Sequence, residues 1–583
     1  MLITKNELDE FGMLADQFII NSDHVSLATL VERFTKHDFE FPHPIYEAHY
    51  LYCLGNCYSE LYRYRCTEWY SEDLMNAIIY YRKALHTIPK ADWKEHEKNI
   101  EAYNNLRSMV ETNLASRLSS QGRTLCCIAH YDKAISIDNN PVAIMAKADN
   151  ELFLGQSLYD NGHSEYHFLM AYELVIKGIE NINELYPDQR IPLKEGGRLF
   201  NFKKWFEGTF EISSFNYFKE YNEEFTSNKH KQYLEWCAKN RLFLNDLNDV
   251  CEYPITYQDI FSLPSFVHSL NSSLVMHEEL AYHGNYDELK NDYCYARYLI
   301  FISKNIPNES SHMFNTTFQH VDDMSHSINN LKVAQLKSSF RTVYSIFDKV
   351  AYLISRFFDL NDLKHDKKLS IDNLFRDFTG KSNGEWKPHK KLKDSDNHFI
   401  HALFYILRDI RKVGNSDTVT KWLDPNAVAF ADIRNAMEHR SLKIVDDFGY
   451  ELATSYNSYH DDEFKKKKKL VHTLLNEINQ IGLQLKQAKE DNNTELLGQL
   501  QNQIEKLNKQ LEKVKSHIDE KEKLSSHSLL IPIRQFESRL MQLITLARNS
   551  IMYLSLAIHF EERKRPKDGL YMPREVPLKQ NLE

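Results

Sequence analysis

An arginine, an asparagine and a histidine stand close together in the stretch FADIRNAMEHRSLKI, residues 430–444. Arg434 and Asn435 are adjacent, and His439 follows four positions after Asn435. A histidine titrates near neutral pH and can take or give a proton, while an arginine keeps its charge and grips phosphate through paired hydrogen bonds. Together these side chains could cleave an RNA phosphodiester without a metal ion, leaving a 2′,3′-cyclic phosphate and a 5′-hydroxyl.

Helical geometry limits how the three side chains can act together. Asn435 and His439 share one helix face, so Asn435 could orient the imidazole or hold a phosphate oxygen. Arg434 and His439 are about 140° apart around the axis. Either the long arginine wraps around, or two copies of the chain each supply part of a shared site, as a symmetric dimer allows. In a simpler alternative, His439 is only a surface residue and Arg434 pairs with Asp432 or Glu438.

The local sequence predicts that this stretch is helical and basic. Asp424 and Pro425 are typical of a helix cap followed by proline at the first helical position. An apolar side then recurs at helical spacing, at Val428, Ile433, Ala436 and Met437. Besides Arg408, three basic residues flank the motif in sequence and are predicted to contact RNA: Arg440, Arg411 and Lys412.

The composition favours an all-α protein. Only 17 glycines and 15 prolines occur among 583 residues, so helix-breaking residues are sparse. Turn signals typical of β-hairpins are essentially missing. The formal net charge of −10 excludes a uniformly basic nucleic-acid coat, although a local basic site is compatible with it.

A degenerate repeat occupies the first part of the chain. The segments 54–58 and 77–89 are followed by a second set, 113–118 and 127–141, and a third pair continues to about residue 181. Small residues, a tyrosine three positions before the last of them, and a closing proline recur in the first two units. This pattern resembles the tetratricopeptide repeat, a stacked helix–turn–helix unit. Residues 1–181 are therefore predicted to form a helical solenoid that binds a partner.

The remainder is predicted to hold a helical linker region at 182–332 and a second helical domain at 333–565, with a tail at 566–583. Within the second domain, apolar residues recur at heptad spacing on both sides of a DNN turn at 491–493. An antiparallel coiled-coil hairpin is expected at about 464–524. It opens with five lysines, which form either a solvated face or a surface that attracts RNA or another acidic partner.

The sequence Arg-Asn-x-x-x-His on a late helix resembles the motif of the HEPN superfamily, in which active members carry R-x(4–6)-H. The resemblance implies a bundle of four to five helices, acting as a dimeric, metal-independent endoribonuclease. Arg434, Asn435 and His439 would be its catalytic residues. The long hairpin departs from the minimal bundle and leaves the packing of the last helix open.

The order of repeats and HEPN domain also resembles a bacterial branch of toxin-type effectors of antiphage defence and abortive infection. This implies RNA as substrate, a homodimer formed through the HEPN domain, and a protein partner or trigger on the repeats. No cofactor or metal is expected. The alternative is a non-catalytic interaction protein whose bundle binds RNA or nucleotide without cutting it.

Other candidate sites are weak. The sequence TGKS at 379–382 lacks the first glycine of a P-loop, and the histidines of HEELAYH at 277–283 are six apart, which does not suit zinc. The eight cysteines form no C-x-x-C pair and are interpreted as core residues of a reducing compartment. The late stretch LITLARNSIMYLSLAIHF is predicted to be a buried helix, because Arg548 and Asn549 interrupt it. A cytoplasmic protein without a membrane span is expected.

Overall fold

In a computed structural model, the chain is described between residues 3 and 564, with gaps. The residues outside the description are 1–2, 37–38, 66–67, 89–99, 265–275, 307–311, 318–325, 361–375, 378–384, 387, 390, 411–424, 452–465, 468, 472, 476, 479, 483, 486–493, 526–527 and 565–583. The predicted RNA contacts Arg411 and Lys412, the helix cap at Asp424 and the predicted tail therefore lie outside the described residues.

Helices dominate the described residues, which confirms the all-α prediction. The N-terminal part contains α1 Lys5–Ile20, α2 His24–Thr35, α3 Pro44–Arg65, α4 Glu72–Thr87, α5 Ile100–Ser120, α6 Thr124–Asp138, α7 Pro141–Ser157 and α8 Asn161–Glu180. The middle contains α9 Arg198–Thr209, α10 Tyr217–Glu220, α11 Asn228–Lys239 and α12 Met276–Lys304, with 3-10 turns at Ile182–Glu184, Ile191–Leu193, Ile212–Asn216, Asp246–Asp249 and Pro254–Thr256. The last part contains α13 Leu331–Phe357, α14 His398–Ile410, α15 Pro425–His439, α16 Thr494–Ser525 and α17 Ile533–Lys564.

Consecutive N-terminal helices pack in pairs, α3 with α4, α5 with α6 and α7 with α8. Glycine allows the close approach in two of them. A Cβ atom on Gly55 would lie 2.5 Å from the ring of Tyr81, and one on Gly155 would lie 2.6 Å from the ring of Phe168. These contacts explain why a small residue faces an aromatic ring, while the tetratricopeptide assignment stays a prediction.

The chain divides into two compact units. The first draws its described residues from Met1–Phe301, Ser339–Val428 and Gln542–Glu583, and the second from Ile302–Ser338 and Ala429–Met541. The predicted boundaries after residues 181, 332 and 565 stay a prediction.

Helix α14 lies at the centre of the first unit. Every residue from Phe399 to Ile410 is buried, and His401 stacks on Trp69 with ring centroids 4.1 Å apart. Helix α17 contains a stretch that is long and apolar enough to cross a membrane, but 78% of that stretch is buried inside the protein. It is therefore a core helix. The interpretation of this stretch as a buried helix is therefore confirmed.

The second unit contains a parallel pair of strands that the sequence pattern did not predict. Strand β3, Leu442–Val445, pairs with β4, Leu529–Pro532, in the register Leu442 opposite Leu529. Ser327 forms an antiparallel bridge to Val445 on the other side of β3. A separate antiparallel pair consists of two strands of two residues each, β1 at Arg376–Asp377 and β2 at Glu385–Trp386.

Apolar residues from the predicted hairpin also meet in the second unit. Ile481 and Leu500 are buried against each other. Partly buried residues at heptad positions pack around them: Leu485, Leu497, Ile504 and Leu507. The antiparallel coiled-coil hairpin itself stays a prediction.

Candidate active site on the motif helix

Helix α15 carries the three predicted catalytic residues and is anchored by its apolar side. Ile433 and Ala436 are buried, as the spacing of the sequence predicts. On the outer side, Asn435 and His439 are exposed and Arg434 is half-buried. Helical spacing therefore presents the asparagine amide and the imidazole on one accessible face.

The side chains of Arg434 and Asn435 are joined directly. The Arg434 guanidinium donates a hydrogen bond from Nη1 to Oδ1 of Asn435, over 3.2 Å. Within the described part of the chain, no ion pair links Arg434 to Asp432 or Glu438, so the simpler pairing is not seen. This bond engages the amide oxygen of Asn435, and the two N–H groups of the amide are available as donors to a ligand or to the imidazole.

His439 is the last residue of α15. No hydrogen bond or ion pair to any described residue occupies its exposed imidazole. Arg440, directly after it, is also exposed. Both side chains are thus accessible to an anionic ligand, and the separation of Arg434 and His439 around the helix remains as the sequence predicts.

The chain that leaves the motif helix is fixed by hydrogen bonds from three separate segments. Leu529 N–H donates to the carbonyl of Ser441, the Lys337 ammonium donates to the carbonyl of Leu442, and Ile328 N–H donates to the carbonyl of Ile444, each over 2.8 Å. These bonds hold the backbone within a few residues of His439. Lys337 was missed by sequence reasoning because it lies about a hundred positions upstream, on the polar side of α13.

Arg408, which flanks the motif in sequence, is not an accessible basic residue. Its side chain is only 4% exposed, and burial lowers the pKa of its guanidinium to about 10. The position follows from α14 being buried on all sides. Of the four basic residues that flank the motif in sequence, Arg440 is the one that the structure describes as exposed.

A second arginine–histidine pair at similar spacing, Arg123 and His130, has other roles. Arg123 is buried and donates to Asp409 over 2.6 Å. His130 Nδ1 lies 2.5 Å from Oε2 of Glu111 on the preceding helix. Both side chains are therefore engaged in contacts with other helices.

The described residues contain no group of three or more histidine, cysteine or carboxylate side chains placed to hold a metal ion. Four of the cysteines in this part of the chain are buried: Cys53, Cys57, Cys127 and Cys237. Their burial agrees with their interpretation as core residues.

Residues 275–475 match the family model described as LA2681-like HEPN. The match supports a HEPN domain in this part of the chain. It includes α13, α14 and α15, and hence Arg434, Asn435 and His439, and it begins earlier in the chain than the predicted start at 333. No curated protein and no solved structure matches the chain.

Proposed function

We propose that the HEPN domain is a metal-independent endoribonuclease whose site combines Arg434 and His439 of two copies of the chain. The observation that carries the proposal is the accessible face of α15. It presents an unengaged imidazole and, four residues earlier, an asparagine that holds the Arg434 guanidinium. The match to the LA2681-like HEPN model supports the same function.

The chemistry is an internal transesterification. The His439 imidazole takes the proton of a ribose 2′-hydroxyl, whose oxygen attacks the adjacent phosphorus. The bond between phosphorus and the 5′ oxygen breaks, and that oxygen takes a proton from a water molecule, whose hydroxide is neutralised by the proton on the His439 imidazolium. Arg434 faces the negative charge that builds on the phosphoryl oxygens. Asn435 positions the guanidinium through the hydrogen bond between their side chains.

The angle between the Arg434 and His439 side chains is the reason that the proposed site needs two copies of the chain. At about 140° around one helix, Arg434 and His439 of the same copy diverge from a single phosphate. Two antiparallel motif helices that face each other across a twofold axis would place the arginine of one copy near the histidine of the other. The N-terminal helical pairs would bind the protein or other trigger that controls the nuclease, as in a defence effector of the toxin type.

Mixing two inactive variants tests the composite site. Arg434→Ala and His439→Ala are each expected to be inactive on single-stranded or transfer RNA. After co-refolding or co-expression, each mixed dimer keeps one intact site, so roughly a quarter of the wild-type activity should return. Mixed dimers that are verified by two different tags yet stay inactive would refute a shared site. An inactive wild type that still binds RNA would favour the non-catalytic alternative.

A further inference from the structure

A polar cavity of about 400 Å³ lies in the first unit, well away in sequence from the motif helix. Its walls come from the end of α5, the start of α6, α7, the first residue of α9 and the first residue of α14. Its volume lies within the range of small-molecule sites in proteins. Neither the family match nor the nuclease chemistry gives this cavity a role.

Close packing closes one end of the cavity. Gly122, in the turn between α5 and α6, has a φ of +75°, and a Cβ atom there would lie 1.9 Å from the carbonyl oxygen of His398. The turn therefore touches the start of α14 directly. The ring of Phe153 meets the imidazole of His398 edge-on, with centroids 5.6 Å apart. Two planar rings thus line this end.

A buried hydroxyl in the wall lacks a partner. Thr124 is 3% exposed, and its Oγ1 atom makes no hydrogen bond to any residue that the structure describes. Leaving such a group unpaired costs stability, and a hydrogen bond to a bound ligand would offset that cost. The side chain of the neighbouring Asn150 bonds elsewhere: its amide donates to the Thr124 carbonyl and accepts from the Cys127 thiol.

Tyr131 supplies an acceptor in the same wall. The hydroxyl of Ser116 donates to the carbonyl of Thr112 over 3.0 Å, so the 3.3 Å contact between Ser116 and Tyr131 uses the Tyr131 proton. The phenol oxygen keeps its acceptor capacity. Together with the Thr124 hydroxyl, the wall offers one group that only accepts and one that donates or accepts.

The charges in the wall cancel. Asp149 and Arg198 form an ion pair, with 38% and 61% of their side chains exposed. A dianion would face the Asp149 carboxylate and a cation would face the Arg198 guanidinium, so the lining favours an uncharged polar ligand. A carboxylate that is fixed by an arginine can accept two hydrogen bonds from a vicinal diol.

The structure assigns this cavity to a nucleoside. We infer that its planar, uncharged base packs on Phe153 and bonds with Thr124 and Tyr131, while the ribose diol donates to Asp149. Stacking on an aromatic ring contributes substantially to base binding and tolerates different bases. The base-edge contacts select among them. This site is independent of the proposed nuclease.

Equilibrium dialysis of the full chain against adenosine, guanosine, cytidine and uridine tests the assignment. At least one should bind, and its 2′-deoxy form should bind about tenfold more weakly, as expected for losing a hydrogen bond to a charged group. Asp149→Asn should weaken binding by a similar factor. Glu60→Gln, at a carboxylate paired with Arg63 outside the cavity, should not change it.

Thr124→Val separates binding from folding. The isosteric valine removes an unpaired hydroxyl, so the melting temperature should stay equal or rise, while nucleoside affinity falls about three- to tenfold. Three results would overturn the assignment. The first is that no nucleoside binds at millimolar concentration, and the second is that neither Asp149→Asn nor Thr124→Val changes the affinity. The third is that a 5′-nucleoside monophosphate or inorganic phosphate binds much more tightly than the nucleoside.

Discussion

The ammonium group of Lys337 lies 2.8 Å from the carbonyl oxygen of Leu442, the first residue of β3 and the third residue after His439. This bond fixes the chain at the point where the motif helix ends. In the proposed nuclease, Lys337 would position the imidazole and would not itself touch RNA.

Lys337→Met should lower kcat for RNA cleavage about tenfold and change KM by less than about twofold, because a misplaced imidazole loses transition-state contacts and not substrate binding. Lys332→Met is the matched control. Lys332 lies on the same helix but pairs with Glu537 over 2.9 Å. Equal effects of the two variants would show that Lys337 acts only through stability or charge.

Arg548 is predicted to be one of the most important residues for the stability of the first unit. It is 1% exposed, and its guanidinium donates to the carbonyls of Phe243 and Asn245 and pairs with Asp249 over 2.9 Å. Arg548→Met should lower the free energy of unfolding by about 3–5 kcal/mol, because the buried Asp249 carboxylate and two buried carbonyls would lose their hydrogen-bond donor. Urea denaturation followed by circular dichroism measures the change.

A surface arginine serves as the control for that experiment. Arg63 pairs with Glu60 but its side chain is 68% exposed. Arg63→Met should cost less than about 1 kcal/mol. Comparable losses from the two variants would contradict the importance assigned to burial.

The stretch 240–250 holds buried polar residues that the local sequence does not predict. Its partners are Arg548, about three hundred residues later, and the histidines of α8. His167, fully buried, sits between Glu151 at 2.6 Å and Asp246 at 3.1 Å. Polar residues in a loop carry no periodic signal, so their burial could not be predicted from local sequence.

The motif helix, in contrast, could be predicted closely. Its apolar positions Ile433 and Ala436 follow helical spacing, and the same spacing fixes which side Asn435 and His439 present. The strand that follows could not be predicted. Leu442–Val445 is short, and its partner Leu529–Pro532 lies beyond the predicted hairpin, so neither a turn signal nor alternation indicated it.

His401 should make the first unit sensitive to acid. Burial against Trp69 lowers the pKa of its imidazole to about 4, and its Nε2 lies 2.8 Å from the carbonyl of Ser395. In the unfolded chain the ring titrates near 6.5, so below that pH the unfolded state binds more protons and stability falls. Between pH 6.5 and 4 the loss from this group should be on the order of 3 kcal/mol.

His401→Phe, which can still stack on Trp69, should flatten that part of the pH profile. The free energy of unfolding, measured by urea denaturation at pH 7 and at pH 4.5, should differ less in the variant than in the wild type. An identical pH dependence in both proteins would show that His401 is not buried as a neutral ring.

Gly55→Ala should be destabilising, because its new methyl group would lie 2.5 Å from the buried ring of Tyr81. Overpacking of this kind costs about 1–3 kcal/mol. Gly208→Ala, with nothing within 4 Å of the added carbon, should be neutral or stabilising by up to about 1 kcal/mol. Thermal melting compares them, and a stabilised Gly55→Ala would contradict the close approach of α3 and α4.

RNA cleavage in the presence of EDTA is the most direct test of the central claim. The purified wild type should cut single-stranded or transfer RNA in the chelator and leave 2′,3′-cyclic phosphate ends. His439→Ala should abolish cleavage while its circular dichroism spectrum and melting temperature stay those of the wild type. Cleavage that EDTA stops, or that persists in the His439→Ala variant, would contradict the account.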